Sequence, residues 1–371
     1  MNNNEDKLTV GIPAYKAKNH IMDCLSSIQI QSVRDDVKII IASDEPNVSY
    51  EYLKKFFPKL DITTLECEEN TGAGLARQRC LDACETNWIT FIDADDVFID
   101  PFALENLANA VDSSQVIEVQ GVFMQEIDDN PNGIRMIPQQ DLGHPWVFGR
   151  LYNTKFLKAN KIKFSELRAM EDGEFNWKIR MTIDGTPFKI NVIQIPVYLW
   201  RIGSEHSITR IGSDDNEDKI PQYNYDLCPL GATIAAIRAA KFCKEKNPFN
   251  GSIDRFITET MIDKYFTYEE CLDKKEIFAE QNYFNAKRFY HECYKEIENR
   301  ISKKILSDVY TIIRSQKAKD LIGIIPKTSF FEFMDKIKND KYGGEDELIE
   351  IRKKLPQEII DNDLKTGVAI F

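Results

Sequence analysis

The chain has 371 residues, 43% of them hydrophobic and 11% aromatic, enough to bury a large core spread over two or more domains. Its net charge of −12 excludes a surface coated in basic residues for polyanion binding. No apolar run reaches the ~18 residues that cross a bilayer, and the opening MNNNEDKL lacks the basic-then-apolar order of a secretory signal, so a cytoplasmic protein is expected.

The segment KLTVGIP reads as a first strand, stopped at Pro13, and NHIMDCLSSIQIQ as a helix with Ile21, Cys24, Leu25 and Ile28 on one face. VKIIIASD is a continuous apolar run, typical of a strand covered on both faces, and it ends at Asp44. DITTLECE reads as a third strand, GAGLARQRCLDAC as a helix and WITFIDADD as a fourth strand. Asp100 and Pro101 then open another helix as N-cap and first-turn residue, with Leu104, Leu107 and Val111 facing inward. Strands and helices taking turns in this way predict an α/β fold with a mostly parallel sheet.

From about 115 to 210 the pattern is mixed. SQVIEVQGVFMQEI alternates like a strand, NPNG marks a turn, and INVIQIPVYLWR is a strand candidate interrupted by Pro196. Beyond about 213 the strand signal ends, which predicts a helical C-terminal domain over 213–371 after an α/β domain over 1–212. Within it, Phe289, Cys293, Ile297, Ile301, Ile305 and Val309 recur at steps of four, the expected stripe of one long amphipathic helix over 284–313. The stretch 287–341 holds thirteen Lys/Arg against eight Asp/Glu, a local +5 that leaves −17 on the remainder, and solvated helix faces account for it. Eight cysteines (24, 67, 80, 84, 228, 243, 271, 293) form no CxxC pair, so small core residues are expected rather than a disulfide framework or a zinc site.

Four stretches carry chemistry. ITFIDADDVF runs an apolar strand into Asp93, Asp95 and Asp96, and like charges crowded at a strand end repel one another unless a cation offsets them. Hard oxygen ligands suit Mg²⁺ or Mn²⁺, and such ions commonly take one or two carboxylates plus substrate phosphates. Strand two likewise delivers Asp44 at its C-terminal end, where open α/β sheets bind ligands. ENTGAGLARQR sets Gly72 and Gly74 before a helix, leaving backbone N–H groups for an anion, with Arg77 as a cationic partner and Arg79 read as solvated surface. In RAMEDGEFNWKI, Glu171 and Asp172 open a helix whose Phe175, Ile179 and Ile183 face inward; Asp172 is either a helix cap or a general base, and spacing does not choose. YLWRIGSEHSITR contributes Arg201 and His206, the latter an extra metal ligand or an ordinary satisfied histidine.

Taken in order, TVGIPAYKAKNHIMDCLSSIQIQS, ENTGAGLARQRCLDACETNWITFIDADDVF, HPWVFGRLYNTKFLKANKIKF and AMEDGEFNWKI resemble the family 2 glycosyltransferases of GT-A fold over roughly residues 7–210. The resemblance implies a Rossmann-like nucleotide-binding half (1–105), an acceptor half (106–212) and inverting transfer of a sugar from a nucleotide donor, usually UDP-linked, to a hydroxyl acceptor, with Mn²⁺ or Mg²⁺ as cofactor. It implies that Pro13, Ala14 and Tyr15 border the nucleotide, Asp44 meets the base, and Asp93 touches the ribose side. Asp95 would ligate the metal, Asp172 would be the base, and Trp146 with GRLY would shape the acceptor side together with Glu171. Arg201 and His206 would lie near the diphosphate. The chain departs from the family's pattern at SDEP, where Ser43 replaces an acid, at ARQRC, and throughout the segment from 213 on.

Two other readings stand beside this one. A sugar nucleotidyltransferase would show a glycine-rich loop directly after strand one, which GIPAYKAKNH does not supply. A silent donor-binding module would have no need of both Asp95 and Asp172. The acceptor is left open among a surface polysaccharide on a lipid carrier, a phosphate-containing polymer and nucleic acid. The basic excess at 287–341 motivates docking of an anionic acceptor or peripheral contact with a membrane.

Overall fold

A computed structural model describes residues 7–128, 133–139, 144–167, 169–201, 228–246, 251–273, 279–320, 329–344, 346–347 and 350. The chain divides into two compact units, 1–166 with 185–208 and 167–184 with 209–371.

The first unit begins with the expected alternation: β1 (Leu8–Ala14), α1 (Ile21–Gln29), β2 (Val37–Ser43), a single turn α2 (Leu53–Phe56), β3 (Asp61–Leu65), α3 (Ala73–Ala83) and β4 (Trp88–Phe91). Strands β3, β2, β1 and β4 lie side by side in that order, all parallel. Val10, Ile12, Ile39, Ile41, Ile89 and Phe91 are buried along them, as continuous apolar strands require when helices cover both faces. The predicted face of α1, Ile21, Cys24, Leu25 and Ile28, is fully buried.

Beyond β4 the sheet becomes mixed. It continues through β5 (Val97–Phe98), β6 (Val116–Asp128), β7 (Ile134–Gln139), β8 (Arg150–Asn153) and β9 (Lys189–Trp200), with α4 (Ala103–Asn109) and α5 (Thr154–Ala159) between them. β8 runs antiparallel to both β4 and β6, β7 antiparallel to β6, and β9 parallel to β6 but antiparallel to β5. Among the described residues these strands form one nine-stranded sheet in the order β3-β2-β1-β4-β8-β6-β9-β5, with β7 on β6. Pro13 and Pro196 sit inside β1 and β9 rather than ending them. The helix expected after Asp100 starts at Ala103: Asp100 accepts from Phe102 N–H (2.7 Å), while Gln31 at the end of α1 accepts from Leu104 N–H (3.1 Å) and so satisfies the helix start.

The second unit holds α6 (Glu171–Ile183), α7 (Cys228–Lys246), α8 (Gly251–Asp273), α9 (Ala279–Phe289), α10 (Lys295–Ile297), α11 (Lys303–Asp320) and α12 (Phe330–Asn339). Ile257, Met261, Tyr265, Phe289, Phe330 and Phe333 share its core, and α12 opens with a capping box between Ser329 and Glu332. The single long helix expected over 284–313 is broken. A step of four residues advances about 40° beyond a full turn, so a strict step-of-four stripe winds around a regular helix instead of staying on one face. A π-turn at Tyr290–Tyr294, wider than an α-turn, absorbs part of that drift, and the helix ends near Ile301 before α11 restarts. Phe289, Cys293 and Ile301 are accordingly buried, whereas Ile305 is 46% exposed.

Of the cysteines, 24, 80, 84, 243 and 293 are buried thiols as expected, and Cys67 is half-buried. No described helix is long and apolar enough to cross a membrane.

Candidate functional site

The chain runs from β1 outward through β2 to β3, then returns to place β4 on β1's other side. This reversal makes the C-terminal ends of β1, β2 and β4 the crevice in which open α/β sheets bind ligands. Three short segments emerge there: 13–17, 43–45 and 92–96.

The first two are tied through Asp44. Its backbone N–H donates to Ala14 O (2.8 Å), and its buried carboxylate accepts from Thr71 N–H (2.9 Å), Thr71 Oγ1 (2.9 Å) and Gly72 N–H (2.8 Å). Gly72 stands at φ +90°, a conformation that costs a side-chain-bearing residue dearly, and its carbonyl begins the hydrogen bonding of α3. Arg79, read from the sequence as solvated surface, instead donates to Ser43 O (2.7 Å) and pairs with Asp44 (3.4 Å). The glycine turn is therefore held from beneath by one carboxylate. Tyr15 is half exposed at the end of β1, with the Lys16 ammonium 5.3 Å from its ring centre, and Pro13 pairs in register with Ala42.

The three acids after β4 have different surroundings. Asp93 pairs with Arg77 (2.7 Å), a guanidinium that α3 brings in almost fully buried. Asp96 is 1% exposed; one oxygen accepts from the Tyr198 hydroxyl (2.5 Å) and the other from Arg201 N–H (2.8 Å). Burial, then the charges of Asp95 and Asp93, push its carboxyl well above the usual range. Asp95 is half-buried. The same negative field, added to burial, raises the Cys24 thiol on α1. Such crowding of hard oxygen donors fits a Mg²⁺ or Mn²⁺ ion that takes one or two carboxylates and fills its remaining positions with phosphate oxygens and water. Among the described residues no three His, Cys, Asp or Glu side chains group together as a metal cage. The Arg201 guanidinium rests on Asp23 of α1 (2.8 Å), and His206 lies outside the described residues.

Tyr198 links this turn to an aromatic cluster. Its ring stacks on Phe148 at 4.9 Å, and Phe148 lies beside Trp146 (6.3 Å, 6° between planes) and Trp200 (5.8 Å). Beneath lies an ion pair between Arg150 and Glu118, both 0% exposed, in which Arg150 also donates to His144 O (3.0 Å). Gln120 Nε2 meets His144 Nε2 at 3.1 Å, so the segment 144–148 is anchored at its start by buried polar groups. The arginine of GRLY therefore supports this region from inside the protein. Sequence reading missed Tyr198, His144, Glu118 and Thr71 as contributors; only the aromatic alternation of YLW hinted at the first.

In the second unit, Glu171 and Asp172 occupy the first turn of α6, and Asp172 is buried to 7% exposure. Met170 precedes them in the left-handed region (φ 65°, ψ 16°), rare for a residue with a side chain. Glu174 pairs with Lys178 one turn on, and Arg238 of α7 approaches its other oxygen at 3.9 Å. Gly231 of α7 packs so closely on this segment that a Cβ there would meet Ala169 O at 2.6 Å.

The profile of the family described as glycosyl transferase family 2 matches residues 9–169. Glycosyltransferase GlyA of Streptococcus pneumoniae is 24% identical over 234 residues, 57% of this chain and 32% of its own length. The teichoic acid poly(glycerol phosphate) polymerase of Staphylococcus epidermidis is 32% identical over 177 residues, 43% of this chain and 24% of that protein. The chain thus spans about a third and a quarter of these two relatives. Among solved structures, S. aureus TarS 1–349 in complex with UDP-GlcNAc superposes with a TM-score of 0.61 at 16% identity, covering 85% of this chain and 92% of that one, a likeness of fold. Profile and relatives agree with the ordered strand-end motifs, and residues 9–169 are a glycosyl transferase family 2 domain.

Proposed function

We propose that the protein transfers a sugar from a UDP-linked donor to a hydroxyl of a phosphate-containing polymer, with inversion at the sugar carbon. The observation that carries this reading is the acid turn at the end of β4, beside the glycine turn that Asp44 holds. A divalent ion held at Asp95, when bound, would offset the charge developing on the departing diphosphate, the contribution that usually dominates such catalysis. Pro13, Ala14 and Tyr15 border the nucleotide. Gly72 N–H is committed to Asp44, so Gly72 serves the donor by shaping the start of α3 rather than by offering that donor group. Arg77 holds Asp93 in place for the ribose side. Arg201 serves the diphosphate, and the family resemblance assigns the same service to His206.

Asp172 takes the proton of the attacking hydroxyl. Inversion by single displacement requires only this one base, because the nucleotide departs without a protonating carboxyl. Glu171 and Trp146 serve the acceptor. A phosphate-containing acceptor is favoured by the relative that polymerises poly(glycerol phosphate) and by Lys303 and Lys304, both exposed at the start of α11. The helical second unit then serves as the acceptor-docking part.

The test is UDP binding with and without Mn²⁺, read by melting temperature. UDP with Mn²⁺ should raise it, Asp95→Ala should remove the Mn²⁺-dependent part, and an unchanged shift in that variant refutes the metal assignment. Asp172→Asn should bind donor normally while transfer falls by about 10²–10⁴-fold. Normal turnover there places the base elsewhere.

A further inference from the structure

The three acids of the turn divide their work unequally, and Asp96 is the least suited to touch a ligand. It is 1% exposed, and both of its oxygens are taken by β9 and the residue after it: Tyr198 Oη at 2.5 Å and Arg201 N at 2.8 Å. The Tyr198 hydroxyl, while donating to Asp96, accepts from Asp93 N–H at 3.2 Å. Asp96 N–H closes the turn on Asp93 O at 3.0 Å. One phenol oxygen therefore bridges the two ends of a four-residue turn that has Asp95 inside it. The phenol itself has no freedom to drift. Its ring is fully buried, stacked on Phe148 at 4.9 Å, and Phe148 is flanked by Trp146 and Trp200.

This arrangement addresses a physical difficulty. Three carboxylates within four residues repel one another, and left to itself the turn would open to let water screen them. A ligand ion would then have to close it again, losing affinity to the ordering of the loop. A buried hydroxyl that joins Asp93 N–H to the Asp96 carboxylate meets that cost during folding instead.

We propose that Tyr198 and Asp96 are positioning residues that preorganise the 93–96 turn for binding of the metal–diphosphate end of the donor, acting through the Tyr198 hydroxyl rather than by contact with it. This rests on the reading that Asp95 holds the cation, and the experiment separates the two. Tyr198→Phe deletes one oxygen and keeps the stacked ring. UDP affinity is measured by titration calorimetry across a Mn²⁺ series, and Mn²⁺ binding itself by electron paramagnetic resonance, on the full chain of wild type, Tyr198→Phe and Asp95→Ala. The expected result is a 10- to 100-fold rise in the Mn²⁺ concentration that half-saturates Tyr198→Phe, the range for loss of groups that orient a metal ligand, with metal-free UDP affinity within twofold of wild type. A purely structural role would lower the melting temperature and leave the Mn²⁺ midpoint unmoved; that outcome overturns the inference. If Asp95→Ala keeps the wild-type Mn²⁺ midpoint, the metal assignment fails and this inference with it. If Asp95→Ala loses Mn²⁺ dependence while Tyr198→Phe keeps the wild-type midpoint, the inference alone fails. Should Tyr198→Phe not fold, Asp96→Asn, which retains an acceptor for Arg201 N–H, is read by the same midpoint and judged the same way.

Discussion

Replacing Asp44 by alanine tests whether its carboxylate serves the fold of the site. In the structure that carboxylate is buried and accepts three hydrogen bonds at 2.8–2.9 Å from Thr71 and Gly72, besides pairing with Arg79 at 3.4 Å. Hydrogen bonds to a charged acceptor contribute about 1.5–3 kcal/mol each, and they share one oxygen pair, so they do not add fully. Thr71 is half-buried and its hydroxyl can turn to water, whereas Gly72 N–H is buried and would be left without an acceptor. Breaking a buried pair by deleting one partner costs about 3–5 kcal/mol, and we expect Asp44→Ala to lose that much. Asp44→Asn keeps one carbonyl oxygen but turns an NH₂ toward a donor, so a loss of about 2 kcal/mol is expected. Urea unfolding followed by tryptophan fluorescence measures both, with UDP affinity taken on the same samples. If Asp44→Ala stays within about 1 kcal/mol of wild type while UDP affinity collapses, the carboxylate serves the nucleotide and the reasoning about the turn is wrong.

Four further outcomes follow. Gly231→Ala places a Cβ 2.6 Å from Ala169 O, so the segment bearing Asp172 must shift; kcat should fall at least tenfold with donor KM nearly unchanged, and full kcat in steady-state assays would show that the shift never reaches the carboxylate. Burial pushes the thiols of Cys80 and Cys293 up to about 12 and that of Cys243 up to about 11, so native-state alkylation followed by mass spectrometry should label half-buried Cys67 first among the described cysteines. Because these thiols favour the protonated form when folded, their contribution to stability is complete below the unfolded value near 8.5 and declines as pH rises toward 12, a loss that pH-dependent unfolding would detect. Lys303→Glu combined with Lys304→Glu should slow transfer to an anionic polymer several-fold in dilute buffer and leave it unchanged near 1 M salt, where charges are screened within about 3 Å; equal rates in dilute buffer would remove these lysines from acceptor docking.

What the sequence made legible was set by local pattern. β1 to β4 and the helices α1 and α3 were readable because apolar runs and a three-to-four spacing declare themselves within a dozen residues. β5, of two residues, and β8, of four, have no such window and exist because long-range pairing with β9 and with β4 and β6 creates them. The same limit applies at the site. Asp44, Gly72, Asp93 and Asp95 stand out as residue types at strand and helix ends, but the partners that restrain them are distant in sequence: Tyr198 lies 102 residues from Asp96, and Arg79 lies 35 from Asp44. Arg150, placed by resemblance on the acceptor side with the rest of GRLY, is seen from Glu118, 32 residues earlier, to be buried in an ion pair. The misread helix over 284–313 had a different cause: spacing was matched to four when the helix turns in 3.6, and the chain inserted a wider turn to reconcile them.

The left-handed backbone at Met170 has an engineering consequence. A side-chain-bearing residue held there costs roughly 1–3 kcal/mol, a load carried beside the carboxylate proposed to accept the proton. Glycine at that position would relieve the load and harden the protein against heat. The same freedom would let the start of α6 wander, so thermostabilised descendants selected without an activity screen are expected to accumulate that replacement and to pay in turnover.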